Sequence, residues 1–473
     1  MSSKDTTALS PVHKKILFAL FVGIFMGAID IAIVGPALTS IKKEFMATDR
    51  AIAWVSSAYM LAFMIGTPLM ASLSDMYGRR RIYIIDVLLF ALGSLILIIA
   101  PGYRMLLLGR AIQGLGGGGL FVAGAVIGDV FPPSKRGGAL GMVGMVFSLA
   151  FILGPLIGAL LLPFGWRWLF IINFPMSLIV IYLGYTYLPG RSADGDSEFD
   201  YLGLGILATM IVLLSRAAND INVTKLLDSV TSGDFLFNTV AFALLVPLFI
   251  AVERMAQRPV FDVDVIAVRQ VAIACVIGFG GGIAQSSFVF IPSLAHYSLG
   301  LKESAAGMMM LPMVMVSAFS SPLVGRLLDR IGSRTVISGG TVLISLGLFI
   351  VSRFPDSFVL FAVGLMTIGS GLTTLSGAPL RYIMLNESRA NSRGSAISMI
   401  TLVGSVGQAL GGVLFGAVAA SYGGGTDGYR TGFLLASAVV IMLLVMARGL
   451  KNRTEELKSH HAVSEAALNE AVG

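Results

Sequence analysis

The chain is predicted to be an all-α integral membrane protein, built as two related six-helix bundles with two further helices inserted between them. Three observations predict it. Of its 473 residues, 56% are hydrophobic and 12% charged, with a mean hydropathy of +0.87, an apolar excess and a charge deficit that no soluble domain shows. Apolar stretches of about 20 residues, the length needed to cross a bilayer as a helix, recur along the whole chain between Gly, Pro and charge clusters. A charged turn, Ala71-Ser72-Leu73-Ser74-Asp75-Met76-Tyr77-Gly78-Arg79-Arg80-Arg81, stands between two such stretches, and Gly325-Arg326-Leu327-Leu328-Asp329-Arg330-Ile331-Gly332-Ser333-Arg334 repeats it in the second half.

The stretches lie near 16–38, 52–73, 82–100, 105–131, 138–162 and 167–188, then 200–217 and 235–253, then 268–297, 304–326, 335–352, 357–384, 395–421 and 430–448. Fourteen spans follow, grouped six, two and six. The first is longer than a signal-peptide core and has no small-residue cleavage site, so it counts as a span. The domains expected are a first bundle at 1–190, a linker with two inserted helices at 191–256, a second bundle at 257–453 and a polar tail at 454–473. With both termini cytoplasmic, the inner loops and tails hold more than twice the lysines and arginines of the outer ones, so the positive-inside rule sets both charged turns on the cytoplasmic side of the cell membrane. This asymmetry explains the net charge of +7 without nucleic acid. The lone Cys275 excludes an internal disulfide, and four dispersed histidines offer no metal centre. No cofactor is expected, and a monomer is.

Two ionisable residues lie deep in first-half spans. Asp30 stands alone in Gly27-Ala28-Ile29-Asp30-Ile31-Ala32-Ile33-Val34. A carboxylate at that depth costs about 2.5–3.5 kcal/mol, so it must face a polar cavity, find a partner or take a proton. Arg110 lies in Leu106-Leu107-Leu108-Gly109-Arg110-Ala111-Ile112-Gln113-Gly114, at a depth within roughly 5 Å of that of Asp30. The two are a candidate ion pair; the plainer readings are an acid paired for packing and an arginine snorkelling to the headgroups. Gly114, Gly116 and Gly119 also fit G-x-G-x-x-G, but no strand precedes them, and close helix packing is the better reading. Gly154-Pro155 and Gly158 in the fifth span read as a proline kink with a small-residue face. The second-half spans carry almost no ionisable groups at depth, which leaves Gln285 and Gln408, with Gln113 in the first half, as polar candidates for a substrate cavity. Trp166 and Trp168 are placed to anchor the outer end of the sixth span.

These motifs together resemble the major facilitator superfamily. Its signature loop, G-x-L-x-D-r-x-G-r-[KR]-[KR], is matched at Gly325 and by Ala71 in place of the first glycine. The stretch around Asp30 is similar to the first-helix motif of the fourteen-helix drug:proton antiporter branch, with Ala32 for its Thr and Pro36-Ala37-Leu38 for its Ala-Leu-Pro. Gly109 to Gly119, the segment Ala150 to Ala159 and Trp166-Arg167-Trp168-Leu169-Phe170-Ile171-Ile172-Asn173-Phe174-Pro175 resemble further motifs of that branch. The resemblance implies a proton-coupled secondary transporter, not an enzyme, that exports amphipathic or cationic compounds by alternating access. In it Asp30 and Arg110 couple the proton, while Asp75, Gly78, Arg79, Arg80, Asp329, Gly332 and Arg334 form a conformational latch. No G-x-x-x-x-G-K-[ST] loop is present, so an ion gradient is the energy source expected. Export of a lipid or another endogenous amphiphile is the alternative in the same fold. An intramembrane enzyme or a sensor is less consistent, for want of a Ser/His or metal constellation and of a soluble domain.

Overall fold

The computed structural model describes residues 10–47, 49–117, 120–190, 200–220, 225–256, 259–260, 263–388, 393–422 and 425–456. All regular structure among them is helical, as a bilayer requires of a chain that satisfies its backbone within each segment. Twelve helices among the described residues are long and apolar enough to cross a membrane.

One compact unit comprises Met1–Pro132 and Leu149–Ser197. It holds α1 (Pro11–Phe45), α2 (Asp49–Tyr77), α3 (Arg79–Ile99), α4 (Tyr103–Leu115), α5 (Leu120–Val130), the later part of α6 (Pro133–Leu161), α7 (Trp168–Ile171) and α8 (Asn173–Tyr187). Ser10 starts α1 by accepting from the His13 amide, with Pro11 at the first helical position. Gly78 separates α2 from α3 at φ +93°, a conformation a side chain would strain. The predicted span at 105–131 is two shorter helices, α4 and α5. At the end of α4 glycines admit its neighbours: a Cβ on Gly114 would lie 2.3 Å from the Tyr59 carbonyl oxygen, and one on Gly116 would lie 2.5 Å from the Phe90 amide. Helix α4 is thereby packed against both α2 and α3.

The second unit comprises Pro133–Ser148 and Glu198–Gly473. It begins with the first turns of α6 and continues with α9 (Tyr201–Asp220), α10 (Leu226–Val230), α11 (Gly233–Met255), α12 (Val263–Ile266), α13 (Arg269–Ser286), α14 (Ile291–Leu299), α15 (Glu303–Met308), α16 (Leu311–Ile331) and α17 (Ser333–Arg353). Helices α18 (Phe358–Ser376), α19 (Ala378–Glu387), α20 (Arg393–Ser421) and α21 (Gly425–Ala447) complete it. The start of α6 belongs here because small residues bring its backbone onto α16. A Cβ on Gly141 would meet the Ser321 carbonyl oxygen at 2.6 Å, and one on Gly325 the Gly137 carbonyl oxygen at 2.3 Å. Ser321 Oγ donates to the Gly141 carbonyl at 2.6 Å. Helices α9 and α11 pack on each other, and α11 leaves Phe237, Leu244 and Leu248 exposed, as a lipid-facing helix does. The apolar stretch of α9, Tyr201–Ala217, is shorter than the twelve spans.

Candidate functional site

Asp30 is fully buried in α1 and is saturated by donors from two other helices of its unit. Arg110 Nη1, from α4, donates to Oδ2 at 2.8 Å. Gln113 Nε2, one turn on, donates to Oδ1 at 2.9 Å, and Asn173 Nδ2 at the start of α8 donates to the same oxygen at 3.1 Å. The guanidinium is held in turn: Nε donates to the Val55 carbonyl at 3.1 Å, Nη1 to Gln113 Oε1 at 2.5 Å, and its carbon lies 4.3 Å from the Tyr59 ring centre. Ser94 Oγ accepts from both Gln113 and Asn173. Such a cluster has no net charge and pairs both carboxylate oxygens of Asp30, which is how an ion pair survives at membrane depth, while Asn173 Oδ1 and the Tyr59 hydroxyl, both buried, have no hydrogen-bond partner among the described residues.

At the turn between α2 and α3, Arg79 forms an ion pair with Asp75 and a second, 3.0 Å long, with Asp129 of α5; its Nη1 also donates to Ser74 Oγ at 2.7 Å. Arg80 donates to the Tyr185 carbonyl at 3.3 Å, and Arg81 lies over the Tyr77 ring. At the other end of α1, Glu44 accepts two hydrogen bonds from Arg167, at 2.7 and 3.0 Å, and one from Trp166 Nε1 at 2.7 Å. The Arg167 hydrogen bonds hold the Glu44 carboxyl below the ordinary glutamate range, against the opposing effect of partial burial.

The second unit repeats the turn with different partners. Gly332 takes φ +83°. Both Asp329 carboxylate oxygens accept backbone amides of α6, Gly137 at 2.9 Å and Gly138 at 2.8 Å. The segment after α21 straps this turn: Arg453 donates to the Asp329 carbonyl at 2.6 Å and to Tyr382 Oη at 2.9 Å. Glu456 accepts from the Ser333 amide at 3.0 Å and from its hydroxyl, which places a carboxylate at the positive N-terminus of α17.

Compared with known proteins, the chain matches the family model described as Major Facilitator Superfamily over residues 20–284 and 271–471. The chain belongs to the major facilitator superfamily. It is similar to the Bacillus subtilis (strain 168) protein named Multidrug resistance protein 3, with 31% identity over 417 residues covering 87% of this chain and 81% of that protein. Another relative from the same strain, named Uncharacterized MFS-type transporter YfiU, is 30% identical over 402 residues, 83% of this chain and 77% of that one. Among solved structures, a proton:xylose symporter, XylE, superposes with a TM-score of 0.69 over 95% of this chain and 98% of its own, at 13% identity; that likeness concerns the fold. A superfamily member is a transporter of small molecules, so the chain is a multi-pass membrane transporter.

In this superfamily member Gln113, expected in a substrate cavity, is hydrogen-bonded inside the Asp30 cluster and has no exposed surface. Gln285 is half-buried on α13 and Gln408 exposed on α20, both in the other unit. Gly154 packs on α1, where a Cβ would lie 2.4 Å from that of Ala32. Gly158 is buried, the side chain of Pro155 lies outside the described residues, and α6 runs helical through all three positions. Arg334 is half-buried in the first turn of α17. Sequence reasoning gave Asn173 only as part of a motif, without a role at Asp30, and missed Ser94 and Tyr59, which look like ordinary packing residues until the helices assemble. It also missed Asp129, whose one signal was an acid closing an apolar run before Pro132-Pro133, and the Arg453 and Glu456 strap, which lies across the expected boundary between the second bundle (257–453) and the polar tail (454–473). The candidate span Phe358–Glu387 contains Arg381, as the span expected at 357–384 already did, so the second-half spans are less bare of charge than the sequence reading took them to be.

Proposed function

We propose that this transporter couples proton movement to export of small amphipathic compounds by alternating access, through fourteen membrane spans with both termini cytoplasmic. The two spans beyond the twelve would be α4 with α5, and α9. The observation that carries the reading is the Asp30 cluster: a buried carboxylate whose donors come from α4 and α8 ties the packing of three helices to its own charge. A proton arriving at Asp30 cancels the charge that holds Arg110, so α1 and α4 lose their strongest mutual contact and can repack. Direct exchange of a proton for a cationic drug at this carboxylate does not fit an acid with no exposed surface and three donors on it. Coupling therefore runs through the position of α1 rather than through competition at one site. The two charged turns act as latches, Arg79 holding Asp75 and Asp129, and Asp329 holding the start of α6. Names of relatives that speak of multidrug resistance support drug-like substrates. Export of a lipid or another endogenous amphiphile is the second reading, favoured by the mostly apolar spans of the second unit.

The test is purified protein in proteoliposomes with an imposed pH gradient, challenged with a panel of drugs and labelled lipids and read for substrate and proton movement together. Asp30→Asn should abolish gradient-driven movement and substrate-induced proton release. Proton release at the wild-type level from that variant would remove Asp30 from the coupling.

A further inference from the structure

Arg381 stands in the first turn of α19, inside the candidate span Phe358–Glu387. It is half-buried, yet its guanidinium forms no ion pair, hydrogen bond or ring contact among the described residues, and no charged side chain acts on it. This contrasts with Arg110, whose charge is cancelled and whose donors are engaged. An arginine cannot shed its proton, so an uncancelled guanidinium within a span is costly unless a ligand or water meets it.

The backbone beside it has the same polarity. The span is interrupted at Gly377, with φ −108° and ψ −135°, between α18 and α19. Pro379 offers no N–H, and the Arg381 amide reaches back to the Gly377 carbonyl at 3.5 Å, the long limit of a hydrogen bond. The positive end of a ten-residue helix is thus opened within the span. One turn before the break, Thr373 is 8% exposed, and its hydroxyl has no partner among the described residues. Helical side chains tilt toward the N-terminus of their helix. The Cα–Cβ bond of Arg381 is therefore directed toward the break.

We propose that Arg381, with the opened N-terminus of α19, binds the anionic headgroup of an amphiphilic substrate, a carboxylate, sulfonate or phosphate. The inference rests on the reading of the chain as an exporter of amphiphiles and narrows it to anionic ones. Half-helix N-termini facing anionic groups are an arrangement that a broken span makes available, and Arg adds a planar fork of donors that a carboxylate or phosphate can fill.

The test is equilibrium binding without any gradient, so that failure of proton coupling leaves it readable. Full-length protein in nanodiscs of neutral lipid is titrated with 11-(dansylamino)undecanoic acid and with its methyl ester. Wild type should prefer the acid by roughly tenfold or more. Arg381→Gln should lose that preference while binding the ester as before, and Arg381→Lys should keep part of it. Phosphatidylglycerol then separates the sources: displacement of the acid from wild type assigns the site to a lipid headgroup, and failure to displace it assigns a soluble amphiphile. Equal affinity of wild type for acid and ester would overturn the proposal. So would an unchanged preference in Arg381→Gln, the outcome for an arginine that merely snorkels. Thermal unfolding of each variant, and its binding of the ester, establish that a lost preference is not lost folding.

Discussion

Asp30→Asn should destabilise the protein as well as uncouple it, and the structure gives the size. The change keeps one carbonyl acceptor but removes the charge opposite Arg110, which is 2% exposed and cannot lose its proton. Breaking a buried pair by removing one partner costs about 3–5 kcal/mol. Arg110 retains the Val55 carbonyl, Gln113 Oε1 and the Tyr59 ring, so the lower end applies, about 3 kcal/mol, or roughly a hundredfold in the folded-to-unfolded ratio. Arg110→Gln should be less damaging at low pH than at high pH, because the carboxyl left behind can take up a proton whereas the guanidinium in the first variant cannot release one. The double variant Asp30→Asn with Arg110→Gln buries no charge and should recover most of the loss. The assay is reversible denaturant unfolding in mixed detergent micelles, followed by fluorescence at several pH values. Wild-type stability in Asp30→Asn, or a double variant no better than the worse single one, would refute a pair that depends on mutual neutralisation.

The other expectations concern the clamps at the ends of the helices. Asp329→Ala frees the Gly137 and Gly138 amides from their acceptors, so hydrogen exchange over residues 133–141 should quicken by about tenfold; unchanged exchange would mean that these amides are protected by other contacts. Glu44→Gln should cost about 0.5–1 kcal/mol at neutral pH, since the Arg167 pair is partly exposed. Because the Glu44 carboxyl is held below its ordinary value, the clamp contributes fully above the unfolded-state value and is lost as pH falls through the lower, folded one. The stability gap between wild type and Glu44→Gln should therefore stay constant across neutral and mildly acidic pH and close only under strong acidification. A gap that closes near neutrality would contradict that assignment.

Composition, span length and the repeated charged turn determined the all-helical membrane fold, because the bilayer leaves a backbone no other economical way to satisfy itself than helices of fixed length. Depth along each span also placed Asp30 and Arg110 at one level, since rise per residue is constant along a helix. Lateral neighbours are another matter. Which face of α4 meets α1, why Asn173 reaches Asp30 from the start of α8, and why Asp129 completes the Arg79 turn all depend on helix packing, in which glycines such as Gly93, Gly114 and Gly116 admit close neighbours. A glycine signals only that a close approach is possible and does not name what approaches. The same limit hid Arg381. By position it falls near the end of the span expected at 357–384, and the break at Gly377 that changes its surroundings is a backbone event with no signature in hydropathy. Only the tertiary structure decided which charges are cancelled, because cancellation is a property of distances between helices that lie far apart in the chain.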